Sequence, residues 1–410
     1  MDLIDLCGKV LAYGEICDHC LGRMVGKRSY GLSNDRRGAG LRTAYYLALN
    51  EPFRPHQGSC WICQDLFTTI GEWARRVATA FDGIEYGTFL IGTHVPPLMA
   101  ENEEMVWSDH SLAYAEPMKS EINREVGKAV SELTGKEASL TSPDVLAVLD
   151  IASGTVEVQV NPVFFYGRYR KLERGIPQTH WDCRVCRGKG CERCGYSGKQ
   201  YADSVEELIA RPAAELFAAE GGVLHGAGRE DIDARMIGTG RPFVMEMVAP
   251  RRRGIDLADL EAAINSSASG RVEVSLERWS SRGEVETIKS DKMHKKYRIL
   301  VEIDDPVSLS ELQFALTALQ GATVYQRTPQ RVAHRRADKV RERRVLEIGY
   351  AGSEGDGHVI ELTGEAGLYV KELISGDCGR TRPSLSALLG REARVVRLDV
   401  IQVSGTESGD

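Results

Sequence analysis

No run of about 18 apolar residues occurs in the 410-residue chain, so no segment is expected to cross a bilayer as a helix. The N-terminus, MDLIDLCGKVLAYGEIC, lacks a basic stretch ahead of a long apolar core, so a secretory leader is not expected and the compartment is read as cytoplasmic. Also missing are a G-x-G-x-x-G after a strand and a P-loop. Enzymes built on a methyl-donor or nucleotide fold are therefore disfavoured, and no nucleotide cofactor is expected. Positive charge is in deficit overall: a net charge of −7 argues against a protein that coats nucleic acid indiscriminately. What remains, 42% apolar and 27% charged, describes an ordinary globular chain long enough for two or three domains.

The ten cysteines are not spread at random. Eight form four C-x-x-C pairs, Cys17/Cys20, Cys60/Cys63, Cys183/Cys186 and Cys191/Cys194, while Cys7 and Cys378 stand alone as packed thiols. In a reducing compartment two such pairs supply the four thiolates of a tetrahedral zinc site, which predicts two structural zinc ions. For the first two pairs a redox dithiol is the alternative. The second set, Cys183-x-x-Cys186-x4-Cys191-x-x-Cys194 with glycines in its turns, is compact enough for one knuckle around one metal.

The overall charge hides a local field. Arg327 to Arg344, RTPQRVAHRRADKVRERR, carries eight Lys/Arg against Asp338 and Glu342, and reads either as a phosphate-binding strip or as a solvated helix face or hairpin. A second basic stretch, Arg168, Arg170, Lys171 and Arg174 with Tyr169 among them, suits an RNA backbone and unstacked bases, or else a solvated strand.

The hydrophobic pattern predicts an α+β protein. YGTFLIGTHV, DVLAVLDI and TVEVQVNPVFFYG read as strands and INREVGKAVSELTG as a helix ended by Gly135, which together form a small α/β unit. Ser204-x-x-Glu207 is a capping box that starts SVEELIARPAAELF, with Pro212 expected to kink or split it. Beyond it, helices at DLADLEAAINSS and SLSELQFALTAL alternate with strands such as RVEVSLERWS and KKYRILVEI, giving a mostly antiparallel sheet flanked by helices. The expected divisions are 1–70 (zinc-binding), 71–180 (RNA-binding unit), 181–200 (knuckle linker), 201–404 (catalytic domain) and 405–410 (disordered tail).

The segment His225–Glu246, HGAGREDIDARMIGTGRPFVME, is too glycine-rich for a helix and holds three clustered carboxylates that could be presented at a strand end. Its G-R-x-D form puts Arg229 near Asp231, and a nearby arginine keeps a carboxylate ionised, as a nucleophile needs. A solvated turn in which Arg229 merely pairs with an acid fits the same residues.

HGAGRED-x-D-x-R-M-x-G-x-GRPF, KKY, QRTPQRVAHRRADKVR and GLYVKELISGDCGRTRPSLSALLG together resemble the archaeal and eukaryotic THUMP-containing tRNA pseudouridine synthases that act on the T-loop. The resemblance spans the chain and is dense from about Gly167 onward. It implies isomerisation of uridine to pseudouridine at tRNA positions 54 and 55, with Asp231 as catalytic residue (Asp233 if the register slips) and no organic cofactor. It implies further that Tyr297 packs on the target base, that Lys371 pairs with the catalytic acid, and that Val370 lies beside the base unless it is a plain core valine. Arg229 and Arg241 become ligands for flanking phosphates, and Arg327, Arg331, Arg335, Arg336 and Lys339 contact tRNA backbone. The N-terminal α/β unit becomes a THUMP-like module. A non-catalytic zinc-dependent RNA-binding or adaptor protein is the alternative.

Overall fold

The structure, a computed structural model, describes residues 2–110 and 112–404, apart from the side chains of His334 and Arg335. The tail 405–410, expected to be disordered, lies outside the described residues. The chain divides into two compact units, Met1–Asn161 and Pro162–Asp410.

In the first unit four strands, β1 (Thr88–His94), β2 (Glu137–Ala138), β3 (Val145–Asp150) and β4 (Thr155–Val160), lie in the order β2-β1-β3-β4. β1 runs parallel to both β2 and β3, because the helix Met118–Thr134 carries the chain back between them; β3 and β4 form an antiparallel hairpin. That helix ends where expected, at Gly135 in the left-handed region (φ 68°). Its apolar face (Met118, Ile122, Val126, Val130) shares one core with Phe89 and Ile91 of β1, Val145, Ala147 and Leu149 of β3, and Trp73, Ala74 and Val77 of the helix Ile70–Ala80.

The second unit is built on a ten-stranded sheet. Its strands are β5 (Val163–Lys171), β6 (Gly221–Gly226), β7 (Arg235–Val248), β8 (Val272–Ser280), β9 (His294–Ile303), β10 (Thr323–Arg327), β11 (Val340–Glu354), β12 (Gly357–Gly364), β13 (Thr381–Arg382) and β14 (Ala393–Ser404). The order is β13-β10-β11-β12-β9-β14-β7-β5-β8, with β6 also on β7. Pairing is antiparallel except between β14 and β7, where Asp399 meets Arg235 and Val400 meets Met236. Helices pack on this sheet, Val205–Phe217 against β6, Leu257–Ala268 against β8 and Leu309–Leu319 against β11. The mixed fold with one large sheet flanked by helices is the one the pattern predicts.

Three local expectations change. TVEVQVNPVFFYG is not one strand: β4 stops at Val160, and Phe164 and Phe165 start a strand whose partners β7 and β8 belong to the second unit. The expected boundary near 180 is thus drawn instead at Asn161/Pro162, and the 181–200 knuckle lies inside the second unit. Pro212 does not split its helix, which runs unbroken over Val205–Phe217 with Ser204 accepting from the Glu207 amide. The basic run takes the hairpin alternative: it spans the end of β10, a short 3-10 helix Gln330–Arg335 and the start of β11, which pairs antiparallel with β10.

Candidate active site

The loop 227–234 connects β6 to β7, and its backbone is held by side chains from below. Arg241 of β7 donates to the Ala227 carbonyl (2.6 Å), Gln178 to that of Gly228 (2.9 Å), Lys171 to those of Asp231 and Ile232 (3.2 and 3.1 Å), and Arg174 to that of Asp233 (2.8 Å). Four donors on carbonyls that no strand satisfies make the loop a fixed object rather than a solvated turn. Two glycines permit the approach. Gly228 has φ 79°, and at Gly238 (φ 65°) a Cβ would stand 2.0 Å from the Ile401 carbonyl oxygen.

Adjacent acids in Gly-Arg-Glu-Asp point to opposite ends of a charge gradient. Glu230 is buried: both its oxygens accept from the Tyr169 hydroxyl (3.0 and 2.8 Å), Arg241 Nε lies 3.0 Å away and Lys171 Nζ 3.9 Å. Burial, then the Glu230 charge, drives the Tyr169 phenol far above its usual pKa, so it stays a donor. Asp231 points outward and is half-buried. Arg331 Nη1 donates to its Oδ1 (2.9 Å), and Lys371 Nζ lies 3.6 Å from Oδ2. Arg331 is itself fixed by buried Glu372 (2.6 Å), and Lys371 by Asp233 (2.6 Å), whose carboxyl is pulled below its usual value by that lysine against the opposing effect of burial.

Tyr297 of β9 is buried in the same core. Its phenol is pushed up to about 12, first by burial, with the Asp231 charge adding to the rise. The structure sets Lys371 Nζ 3.6 Å from Asp231, and the Asp231 charge acts on the Tyr297 phenol. Asp233 is far more open (68% side-chain exposure, against 32% for Asp231) and is held as the lysine's counter-charge. Val370 is a buried core residue at the start of the helix Val370–Ser375.

Three assignments are corrected. Arg241 cannot serve a phosphate, because it is 1% exposed and committed to Glu230 and the loop backbone. Asp231 is held by Arg331, one hundred positions on, while the guanidinium of its neighbour Arg229 lies over the Trp181 ring (4.9 Å). Arg331, expected on tRNA backbone, is thereby taken into the site. Of the other basic residues, Arg327 is chelated by Asp338 (3.0 and 2.9 Å), Arg336 donates to the Tyr369 hydroxyl (3.0 Å), Lys339 is exposed, and the Arg335 side chain lies outside the described residues. Glu230, Gln178 and Glu372 were given no role from sequence, and Tyr169 and Lys171, read as facing RNA or solvent, are instead buried beneath the loop. A carboxylate next to a carboxylate carries no linear signal for which one goes inward.

Both cysteine sets assemble. In each, the four sulfurs lie within 4.8 Å of one another, and the separations Cys17–Cys63 (3.7 Å), Cys183–Cys191 (3.9 Å) and Cys186–Cys194 (3.8 Å) match the edge of about 3.8 Å for a tetrahedron with metal–sulfur bonds of ~2.3 Å. Amides of Gly190 and Gly198 point at Cys186 and Cys194 Sγ, and fully buried Arg23 donates to Cys20 Sγ (3.2 Å). Donors aimed at sulfur fit four thiolates on an ion such as zinc.

The family descriptions "Pus10, C-terminal" and "Pus10 THUMP domain, archaeal" match residues 164–404 and 73–150. The chain belongs to the Pus10 family. Similar relatives are the tRNA pseudouridine synthase Pus10 of Methanothrix thermoacetophila, 46% identical over 98% of this chain and 95% of that protein, and those of Halorubrum lacusprofundi (46%; 99% and 97%) and Pyrococcus furiosus (35%; all of both chains). The Pus10 C-terminal match begins with β5 and so agrees with the second unit, and the Pus10 THUMP match covers the α/β sheet through β3.

Proposed function

We propose that this chain isomerises uridine to pseudouridine in the tRNA T-loop, at positions 54 and 55, with Asp231 as the catalytic carboxylate. The observation that carries the proposal is Asp231 itself: a half-buried carboxylate on a pinned loop, flanked by Arg331 and Lys371. The reaction breaks N1–C1′, turns the base and joins C5 to C1′, with the carboxylate acting at C1′ or on the 2′ proton. Either route needs an ionised acid where water is excluded, and Arg331 and Lys371 supply opposite charge beside it. The uridine must leave the stack to reach it, and Tyr297 offers an aromatic wall for it. No organic cofactor is required, and the expected compartment is the cytoplasm, where thiolates stay reduced.

Two zinc ions hold structure. RNA contacts are assigned to both units. In the first, a cavity of about 750 Å³ lined by Lys27, Arg36, Arg37, Arg124 and Lys128, with Glu116, supports a grip on the tRNA acceptor end. In the second, Arg336 and Lys339 remain on the basic segment for T-loop backbone. Changing both to alanine is expected to lower the slope of log affinity against log salt by about 0.7–0.9 for each phosphate that is no longer neutralised. An unmoved slope removes this segment from the interface.

The proposal is tested by incubating the enzyme with tRNA transcripts in which one T-loop uridine or the other is replaced by cytidine, then mapping pseudouridine along the RNA. Product at 54 and 55, each lost with its own uridine, is expected. Product confined to other positions overturns the T-loop assignment, and no product at all points to the non-catalytic adaptor.

A further inference from the structure

Around the loop 227–234 the carboxylates named so far are ion-paired: Glu230 with Arg241 and Lys171, Asp231 and Glu372 with Arg331, and Asp233 with Lys371, while Arg174 and Arg235 share Asp399. Lys295 is additional. On β9, Tyr297, Ile299 and Val301 are buried while Arg298 between them is exposed, so the inward-facing row is the odd-numbered one. The unbroken register with β12 keeps Lys295 in that row, two residues ahead of Tyr297. Its ammonium reaches the catalytic loop: a Cβ on Gly228 would stand 3.7 Å from Nζ. Its hydrogen bond is a long one, 3.3 Å to the Met293 carbonyl, and it forms no ion pair with a carboxylate among the described residues.

An inward lysine beside fully buried Arg241 is costly. Burial, then the Arg241 charge, lowers its pKa to about 8, against a smaller opposing effect of Asp291 in the segment before β9. The residues paired with it across the sheet, Gly364 and Val403, carry no charge. A folded chain keeps such a cation where an anion arrives to complete it. RNA brings that anion.

We propose that Lys295 is the ligand for a backbone phosphate of the target RNA strand, next to the nucleotide that settles over Tyr297. This rests on the proposed function and assigns to Lys295 the contact that Arg241 is too deeply committed to make. The charged amine donates to a phosphate oxygen, and no bond is made or broken.

The test compares wild type, Lys295→Met and Lys295→Arg as full chains, by filter retention of a tRNA transcript across salt and pH and by single-turnover pseudouridine formation. The Met variant is expected to bind about tenfold more weakly, with a salt slope lower by about 0.7–0.9 and a saturating rate within about twofold of wild type. The Arg variant restores affinity. Because the ammonium form binds, wild-type affinity stays level below pH 8 and falls as pH rises above it, whereas Lys295→Arg stays flat. A Met variant with an unchanged salt slope, or one whose saturating rate collapses while binding holds, overturns the assignment. Binding is read apart from turnover. An inactive wild type with a Lys295-dependent slope therefore sinks the isomerase reading and leaves the phosphate contact standing.

Discussion

Asp231→Asn is expected to abolish tritium release from tRNA carrying 5-tritiated uridine, by roughly a thousandfold or more, while tRNA binding and thermal stability stay near wild type. Asparagine keeps the shape and removes the charge. Neither flanking cation is stranded by the change, because Arg331 retains Glu372 and Lys371 retains Asp233. Both are also partly open to water, so the stability cost of losing one partner is small. The neighbouring substitution gives the opposite pattern. Glu230→Gln leaves Arg241 and Lys171, both fully buried, without their counter-charge, and breaking a buried pair costs about 3–5 kcal/mol. That variant should melt well below wild type and lose activity because the loop is no longer held. If Asp231→Asn releases tritium at the wild-type rate, the isomerase mechanism fails; if Glu230→Gln keeps wild-type stability, the account of the loop's support fails.

The second large effect concerns metal. Elemental analysis should find two zinc ions per chain. Cys20→Ser together with Cys63→Ser should remove one and unfold the first unit, whereas Cys183→Ser with Cys191→Ser should remove the other and leave the first unit's stability intact. The difference lies in burial. Cys20, Cys60 and Cys63 sit in the core of the first unit beside the buried guanidinium of Arg23, whereas Cys186, Cys191 and Cys194 are partly exposed. Losing the inner ion takes the thiolates from Arg23, which keeps only its ion pair with Glu103 (3.0 Å), as well as forfeiting a metal-binding free energy of about 10–16 kcal/mol. A metal content near zero in a folded, active preparation would exclude both sites. The paired sulfur separations would then be packing alone.

Much of this was legible from the linear chain because the signals are local. C-x-x-C spacing fixes two ligands on one turn, Ser204-x-x-Glu207 and Ser308-x-x-Glu311 cap helices that form where expected, and both caps accept from the amide three residues on. The motifs around Asp231, Tyr297 and Lys371 led to the family and to a site those residues share. The errors have a common cause. β5 was placed in the wrong unit because an apolar strand does not declare which sheet it will join, and only the pairing of Val163–Lys171 with β7 and β8 decides it. Arg331 and Arg241 were misread because positive charge in a sequence looks the same whether it will meet solvent, RNA or a buried carboxylate.

The sequence by itself determined the kinds of group available: eight thiols at metal spacing, one acidic glycine-hinged loop, a basic run and a helix–strand grammar without a nucleotide fold. Only the tertiary structure decided how the charges pair, sending Glu230 inward to Tyr169 and Arg241, turning Asp231 to Arg331, and leaving Lys295 in an inward row with no ion-paired acid among the described residues. The physical reason is that a charge's role is set by its distance to other charges and by the water it loses. Both are properties of residues brought together from far apart in the chain.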